Sequence, residues 1–241
     1  MTSLKTTTRK GFTLIELLTV ISIIGILAAI LIPVISGTLK TAKKLAQSSN
    51  AGTIAKTYQS FSNSGSNSRI ILTPAMGQGN ANSGVAKDIN DVAYILARNV
   101  GLDVGPLWFN KADDAGPAII PRTVLDTDVG SATGPSAAFA SAKPKTWAFV
   151  TGVPSSADVT TMPVLWTYGL KHDGAWDKDS SPWKGGGHVA FLDGHVEWFD
   201  QLSLNDQNGA NFVNYSTHKP TIDWKEAISS KSVLVNEMGK D

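Results

Sequence analysis

The chain has 241 residues, is 42% hydrophobic and carries a formal net charge of +1. That is enough apolar material for one sizeable core and too little excess charge to point to nucleic acid. With no cysteine, disulfides, thiolate nucleophiles and cysteine-ligated zinc are all excluded. All seven tryptophans lie beyond residue 100, so the chain reads as two unlike parts, an apolar rod and an aromatic-rich body.

The rod begins after a short basic leader containing Lys5, Arg9 and Lys10. From Phe12 to Ile35 the only charged side chain is Glu16, although an ionised acid at mid-membrane costs about 2.5–3.5 kcal/mol on the insertion scale. An ordinary secretory signal has a shorter apolar core and a small-residue cleavage site after it. This run is longer, contains an acid, and no A-x-A pattern follows Ile35. A plain transmembrane anchor would accommodate the length, with Glu16 snorkelling from its end.

The order basic leader, Gly11, Phe12, then Glu16 four residues later resembles the prepilin signal of type IV pilins and type II secretion pseudopilins. The resemblance runs from about Lys10 to Pro33 and includes Gly25 and Pro33 where the family often has helix-softening residues. It implies that a prepilin peptidase/methyltransferase cuts between Gly11 and Phe12 and leaves N-methyl-Phe12 as the first mature residue. Such a cut frees an amine one helical turn from Glu16, giving the acid a cation in a low-dielectric setting. In filaments of this family the glutamate neutralises the amine of a neighbouring subunit, so the resemblance assigns Glu16 to assembly. Basic residues flank both ends of the run, with Lys40, Lys43 and Lys44 beyond it, and the positive-inside rule does not choose an orientation. The resemblance does: residues 1–11 are a cytoplasmic leader, 12–35 lie in the membrane or filament core, and the body is outside.

Beyond Pro33 the pattern becomes striped. Val34, Ile35, Thr38, Leu39, Ala42, Leu45, Ala46, Ile54, Tyr58 and Phe61 recur at helical spacing, with Lys40, Lys43, Lys44 and Gln47 on the other face. The same helix therefore continues amphipathically to residue 61, and from Thr13 to Ser60 it would be roughly 70 Å long at about 1.5 Å per residue. Pro33 removes the bond to the Ala29 carbonyl, and Gly25 and Gly52 each cost about 1 kcal/mol relative to alanine. Kinking or local melting is expected at these positions.

"SNSGSNS", Ser62 to Ser68, marks the junction with a body at 62–241, and "TPAMGQGNANSG", Thr73 to Gly84, reads as a second loop. Asp88 to Val100 reads as a helix with Asp88 as N-cap, Ile89, Val92, Ala93, Leu96 and Val100 as buried stripe, and Gly101 as stop. Proline and glycine recur from Gly105 to Pro144, predicting loops with few short strands. "TWAFV", Thr146 to Val150, and "PVLWTYG", Pro163 to Gly169, read as strands.

"GGGHVAFLDGHVEWF", Gly185 to Phe199, places two alternating runs around Asp193-Gly194, a two-residue hairpin signal. With Leu192 facing His195, Val189, Phe191, Val196 and Trp198 share the core face, and His188, His195 and Glu197 the other. The fold class is α+β and pilin-like: a long N-terminal helix packed on an antiparallel sheet. The same stretch is similar to large prepilin-type proteins whose C-terminal signature is His, nine residues, then Asp-Gly before His-Val. "LDGHVEW" matches its end, but the position of the first histidine is Trp183.

On this regular hairpin His188 and His195 lie roughly 13 Å apart at 3.3 Å per residue, too far to share a zinc ion with ligands about 2.0–2.1 Å away. A nucleophile elbow, a phosphate-cradling glycine loop and a zinc-helix motif are absent. A membrane-anchored enzyme or binding protein is the competing class, and no catalytic residues are assigned. In "HDGAWDKDS", His172 to Ser180, Asp173, Asp177 and Asp179 gather three carboxylates that an ordered turn would point at calcium, with oxygens at about 2.3–2.6 Å. The calcium loop of major pseudopilins is the analogy. Lys178 interrupts the set and the spacing departs from the EF-hand pattern, so the other reading is a solvated acidic loop.

The function implied is a structural subunit of a type II secretion pseudopilus, or of a type IV pilus. The partners implied are the processing peptidase, other pilin or pseudopilin subunits, the inner-membrane assembly platform and membrane lipid, with no nucleic acid required. Missing cysteines lean toward the pseudopilin, since many pilins staple their C-terminal region with a disulfide.

Overall fold

The computed structural model describes residues 12–63, 70–72, 84–110, 113, 116–126, 134–154, 156–171, 173–179, 181–200, 202, 212–236 and 239–240. The chain divides into two compact units, Met1–Ala42 and Lys43–Asp241. The described part of the first is helix from Leu14 onward, the beginning of α1 (Leu14–Asn63). The helix is unbroken through Gly25, Pro33 and Gly52, so the local melting expected at those residues does not occur.

The second unit is built on a six-stranded antiparallel sheet in the order β4-β3-β2-β1-β7-β8. Its strands are β1 (Trp147–Thr151), β2 (Pro163–Thr167), β3 (Gly187–Phe191), β4 (Val196–Phe199), β7 (Val233–Asn236) and β8 (Gly239–Lys240). A separate two-stranded ribbon pairs β5 (Phe212–Val213) with β6 (Pro220–Thr221). The first three strands are buried along their whole length, as expected of a sheet covered on both faces. The α+β reading therefore stands: a long N-terminal helix together with an antiparallel sheet.

The inner helix is also where the sequence places it. In α2 (Ile89–Val100) the Asp88 side chain accepts from the amides of Asn90 and Asp91, and Gly101 ends the helix at φ 77°. Ile89, Val92, Ala93 and Leu96 are buried, and the helix packs against β1. Between Gly105 and Pro144 the described residues hold no strand. They form a 3-10 turn at Gly105–Trp108 and a short helix, α3 (Ala137–Ser141), whose cap Ser136 accepts from the Phe139 amide. The aromatic side chains of these turns pack on one another, Phe139 edge-on to Phe109 at 5.7 Å, so local helix suffices where prolines exclude a ladder.

The β3–β4 hairpin differs from its expected register by one residue. Ala190 faces Val196, Val189 faces Glu197 and His188 faces Trp198. The Phe191 amide donates to the His195 carbonyl at 3.0 Å, and the Gly194 amide to the Phe191 carbonyl at 2.8 Å. The loop is thus the three residues Leu192, Asp193 and Gly194, with Gly194 at φ 88°. This is the type I turn plus left-handed glycine that makes a bulged hairpin, rather than a two-residue turn. A one-residue slip reassigns every facing pair. His188, Ala190, Val196 and Trp198 share one face, while Val189, Phe191, His195, Glu197 and Phe199 share the other.

Residues 43–63 of α1 lie on the first of these faces. Tyr58 packs edge-on against Phe149 at 5.0 Å between ring centres. Gly52 passes so close to the hairpin turn that a Cβ there would stand 2.9 Å from the Gly194 carbonyl oxygen. The opposite face is covered by the ribbon and by a 3-10 turn at Trp224–Ala227: Phe212 lies against Phe191 and Phe199, and Trp224 meets Trp166 edge-on at 5.3 Å.

The buried stripe of this part of α1 is Gln47, Ala51, Gly52, Ile54, Ala55, Tyr58 and Phe61. Ile54, Tyr58 and Phe61 were expected there. Leu45, expected inside, is 71% exposed, and Gln47, expected outside, is 3% exposed. The reason is what the sheet and the turn before β3 offer: Trp183 donates its indole N–H to the Gln47 side-chain oxygen, and Lys44 places its ammonium 3.4 Å from the centre of the Trp198 ring. An aromatic surface with one donor receives an amide and a cation better than a leucine.

Candidate functional site: the N-terminal apolar segment

Helix α1 begins with a reciprocal cap. The Glu16 amide donates to the Thr13 hydroxyl oxygen at 3.3 Å, and Glu16 Oε2 accepts from the Thr13 amide at 2.9 Å and from its hydroxyl at 2.7 Å. This is the capping box of a T-x-x-E sequence, which satisfies amides that the first turn would otherwise leave bare. Glu16 therefore has a local partner within its own chain. Thr13 is the residue that the sequence reading missed, although its spacing to Glu16 was in plain view.

Every large apolar residue from Phe12 to Ile35 is exposed, Phe12 at 79%. The segment's mean hydropathy reaches 2.9, and α1 is long and apolar enough to cross a membrane. Its few hydroxyls are satisfied internally: Thr19, Ser22, Ser36 and Thr38 each donate to a carbonyl three or four residues back. Between Thr19 and Thr38 every hydroxyl donor is thus paired, and the one acceptor that loses its helical donor is the Ala29 carbonyl, because Pro33 has no N–H; a helix so nearly satisfied within itself is what a hydrocarbon environment tolerates. Phe12 is the first described residue. Gly11 and the leader lie outside the described residues.

The other candidates fall in the second unit. Asp173 Oδ1 accepts from the Ala175 amide, and Asp177 Oδ1 from the Asp179 amide. Asp177 also pairs through Oδ2 with Lys171 at 3.2 Å. Among the described residues no three His, Asp or Glu side chains gather as a metal-binding group; His172 and Ser180 lie outside them. The loop is tied to the sheet by Trp176, whose indole donates to the Thr167 carbonyl at 3.0 Å.

The two histidines end on opposite faces of the hairpin. His195 is exposed, stacked on Phe191 at 4.2 Å, and its Nδ1 meets Asp193 Oδ1 at 2.6 Å. His188 is 4% exposed, lies 4.8 Å from Trp198 and 6.4 Å from Trp183, and its Nδ1 has no hydrogen-bond partner among the described residues. Burial, assisted by the Lys44 charge, pushes this imidazole down to about 4, so it is neutral at pH 7. Trp183, at the place of the first histidine in the C-terminal signature, thus serves to hold α1 through Gln47.

Residues 7–32 match the family model described as the prokaryotic N-terminal methylation motif. No curated protein and no solved structure matches the chain. The match covers the capped start of α1, whose large apolar residues are all exposed, and with it the chain carries the prepilin-type signature on a long apolar helix that fits pilin-like proteins.

Proposed function

We propose that the chain is a structural subunit of a type II secretion pseudopilus, cleaved between Gly11 and Phe12, methylated at Phe12 and assembled through its N-terminal helix. The observation that carries the reading is the conjunction of the methylation motif with an apolar segment in which nothing large is buried and the one acid sits at the very start. A helix with that much uncovered apolar surface requires lipid or neighbouring copies. In this reading the precursor is a single-pass protein of the cytoplasmic membrane with its body outside. Lipid is exchanged for sister subunits as the assembly platform extracts it.

Glu16 then has two successive partners, its own Thr13 and a neighbour's Phe12 amine. The family is structural rather than catalytic, and the chain is read as a filament component, not an enzyme. The absence of cysteine supports the pseudopilus over a surface pilus. Glu16→Leu is expected to insert and be cleaved normally but to assemble poorly. Deleting the gene separates the two filaments: lost protein secretion with intact surface fibres supports the pseudopilus, and the reverse supports a type IV pilus.

A further inference from the structure

A cavity of about 310 Å³ lies between two loops of the second unit, and no residue of α1 lines it. One wall is the turn after residue 155, carrying Ser156, Asp158 and Thr161; the other is the turn between β5 and β6, carrying Tyr215, Ser216 and His218. Its floor is apolar, with Met162 and Val213. The volume lies at the small end of the roughly 300–1,000 Å³ typical of small-molecule sites.

The walls are built firmly. Asn214 Oδ1 accepts from the amides of Ser216 and Thr217, and its amide group donates to Glu226 at 3.0 Å. Glu226 also accepts from the Thr221 hydroxyl at 2.6 Å, and its backbone carbonyl takes the Tyr215 amide at 2.7 Å. The two turns meet where the Ser156 and Tyr215 hydroxyls stand 3.3 Å apart. His218 is held at φ 55°, a left-handed conformation uncommon for a side-chain-bearing residue. Asp158 Oδ1 is fixed by the Thr160 amide at 2.9 Å and hydroxyl at 2.7 Å. Those bonds hold its carboxyl below the usual range, with a smaller contribution from His218.

Such a wall offers an ionised carboxylate whose Oδ2 is left over once Thr160 has taken Oδ1, several hydroxyls that donate or accept, an imidazole, and one aromatic ring above an apolar floor. That combination suits a rigid ring with hydroxyls on its rim and C–H groups on its faces. A phosphate or carboxylate ligand would meet Asp158 with no lysine or arginine lining the cavity. An apolar ligand would strand the hydroxyls. We propose that this cavity is a saccharide-binding site that takes one pyranose ring, with Asp158 Oδ2 accepting from a ring hydroxyl and Tyr215 covering a ring face.

The test is saturation-transfer NMR on the full processed chain in a zwitterionic, sugar-free detergent, with glucose, galactose and N-acetylglucosamine as probes. Transfer to the ring protons of at least one sugar is expected. Asp158→Asn should weaken its binding about tenfold by replacing a charged acceptor with a neutral one. Ser216→Trp, on an exposed turn position, should fill the cavity and abolish transfer; an unchanged melting midpoint for both variants shows that the fold is kept. The methyl glycosides of the same sugars identify the source. Binding that survives a blocked anomeric oxygen indicates the end of a glycan, and binding that requires it free indicates a free sugar. Absence of transfer from all three sugars, or transfer unchanged in both variants, overturns the proposal.

Discussion

Two stretches of one helix obey different rules. From Phe12 to Ile35 α1 buries none of its large apolar residues, and a Cβ added at Gly25 would meet nothing within 4 Å. From Gln47 to Phe61 it buries a stripe on the sheet, and a Cβ at Gly52 would meet the Gly194 carbonyl oxygen at 2.9 Å. The backbone is the same helix in both, so helix formation says nothing about what surrounds it. Two glycines equally disfavoured by propensity have opposite meanings, one with open space around it and the other letting backbones approach.

The sharpest contrast is expected from truncating side chains. Tyr58→Ala removes a fully buried ring packed against Phe149 and should destabilise the body by about 3–5 kcal/mol in denaturant melts. Leu27→Ala, in the exposed stretch, should leave that midpoint unchanged. Equal effects would break the distinction.

The glycines give the next largest difference. Gly52→Ala should cost about 1–3 kcal/mol, because the atom it meets is backbone and cannot swing aside. Gly25→Ala should instead gain helix propensity, about 1 kcal/mol, with no loss of body stability. Circular dichroism with denaturant, applied to both variants, reads each effect.

A smaller effect should follow from pH. The His188 imidazole sits at about 4 in the fold against 6.5 for an ordinary histidine. Between those values the unfolded chain binds a proton that the folded chain does not. Stability should therefore be lost as pH falls from 6.5 towards 4, and the loss should be shallower in His188→Leu. An unchanged pH slope in that variant would show that the imidazole is not shielded as its surroundings indicate.

The smallest expected effect concerns the acidic loop. Because Asp177 already pairs with Lys171 and each of Asp173 and Asp177 holds a backbone amide, millimolar calcium followed by chelator should leave the melting midpoint where it was. A rise with calcium that the chelator reverses would assign these aspartates to a metal.

What was legible in the sequence follows the same division. The apolar run, the caps of α2 and the strands β1 and β2 are local patterns, and they appear where the residues say. The hairpin register was not legible, because Asp193-Gly194 serves both a two-residue turn and a three-residue bulged one. In the fold Gly194 lies directly against Gly52 and Lys56 of α1, a neighbourhood that no local pattern reports. From that one-residue slip came the misplacement of His188, Val189 and Phe191, while Val196 and Trp198 face α1 as expected. The inward turn of Gln47 depends on Trp183, 136 residues away, and no helical periodicity reports a partner so distant. The Thr13–Glu16 cap, by contrast, is a T-x-x-E spacing of three that is local and legible in the sequence.

In the proposed function α1 begins life behind a leader and works without it. Intact-mass measurement and N-terminal sequencing of the chain recovered from membranes test it most directly. The expected result is a mature chain starting at Phe12 and heavier by one CH2 unit, the net gain of N-methylation, with precursor that accumulates uncut when Gly11→Ala is introduced. A chain that retains residues 1–11, or one that starts anywhere other than Phe12, would contradict it.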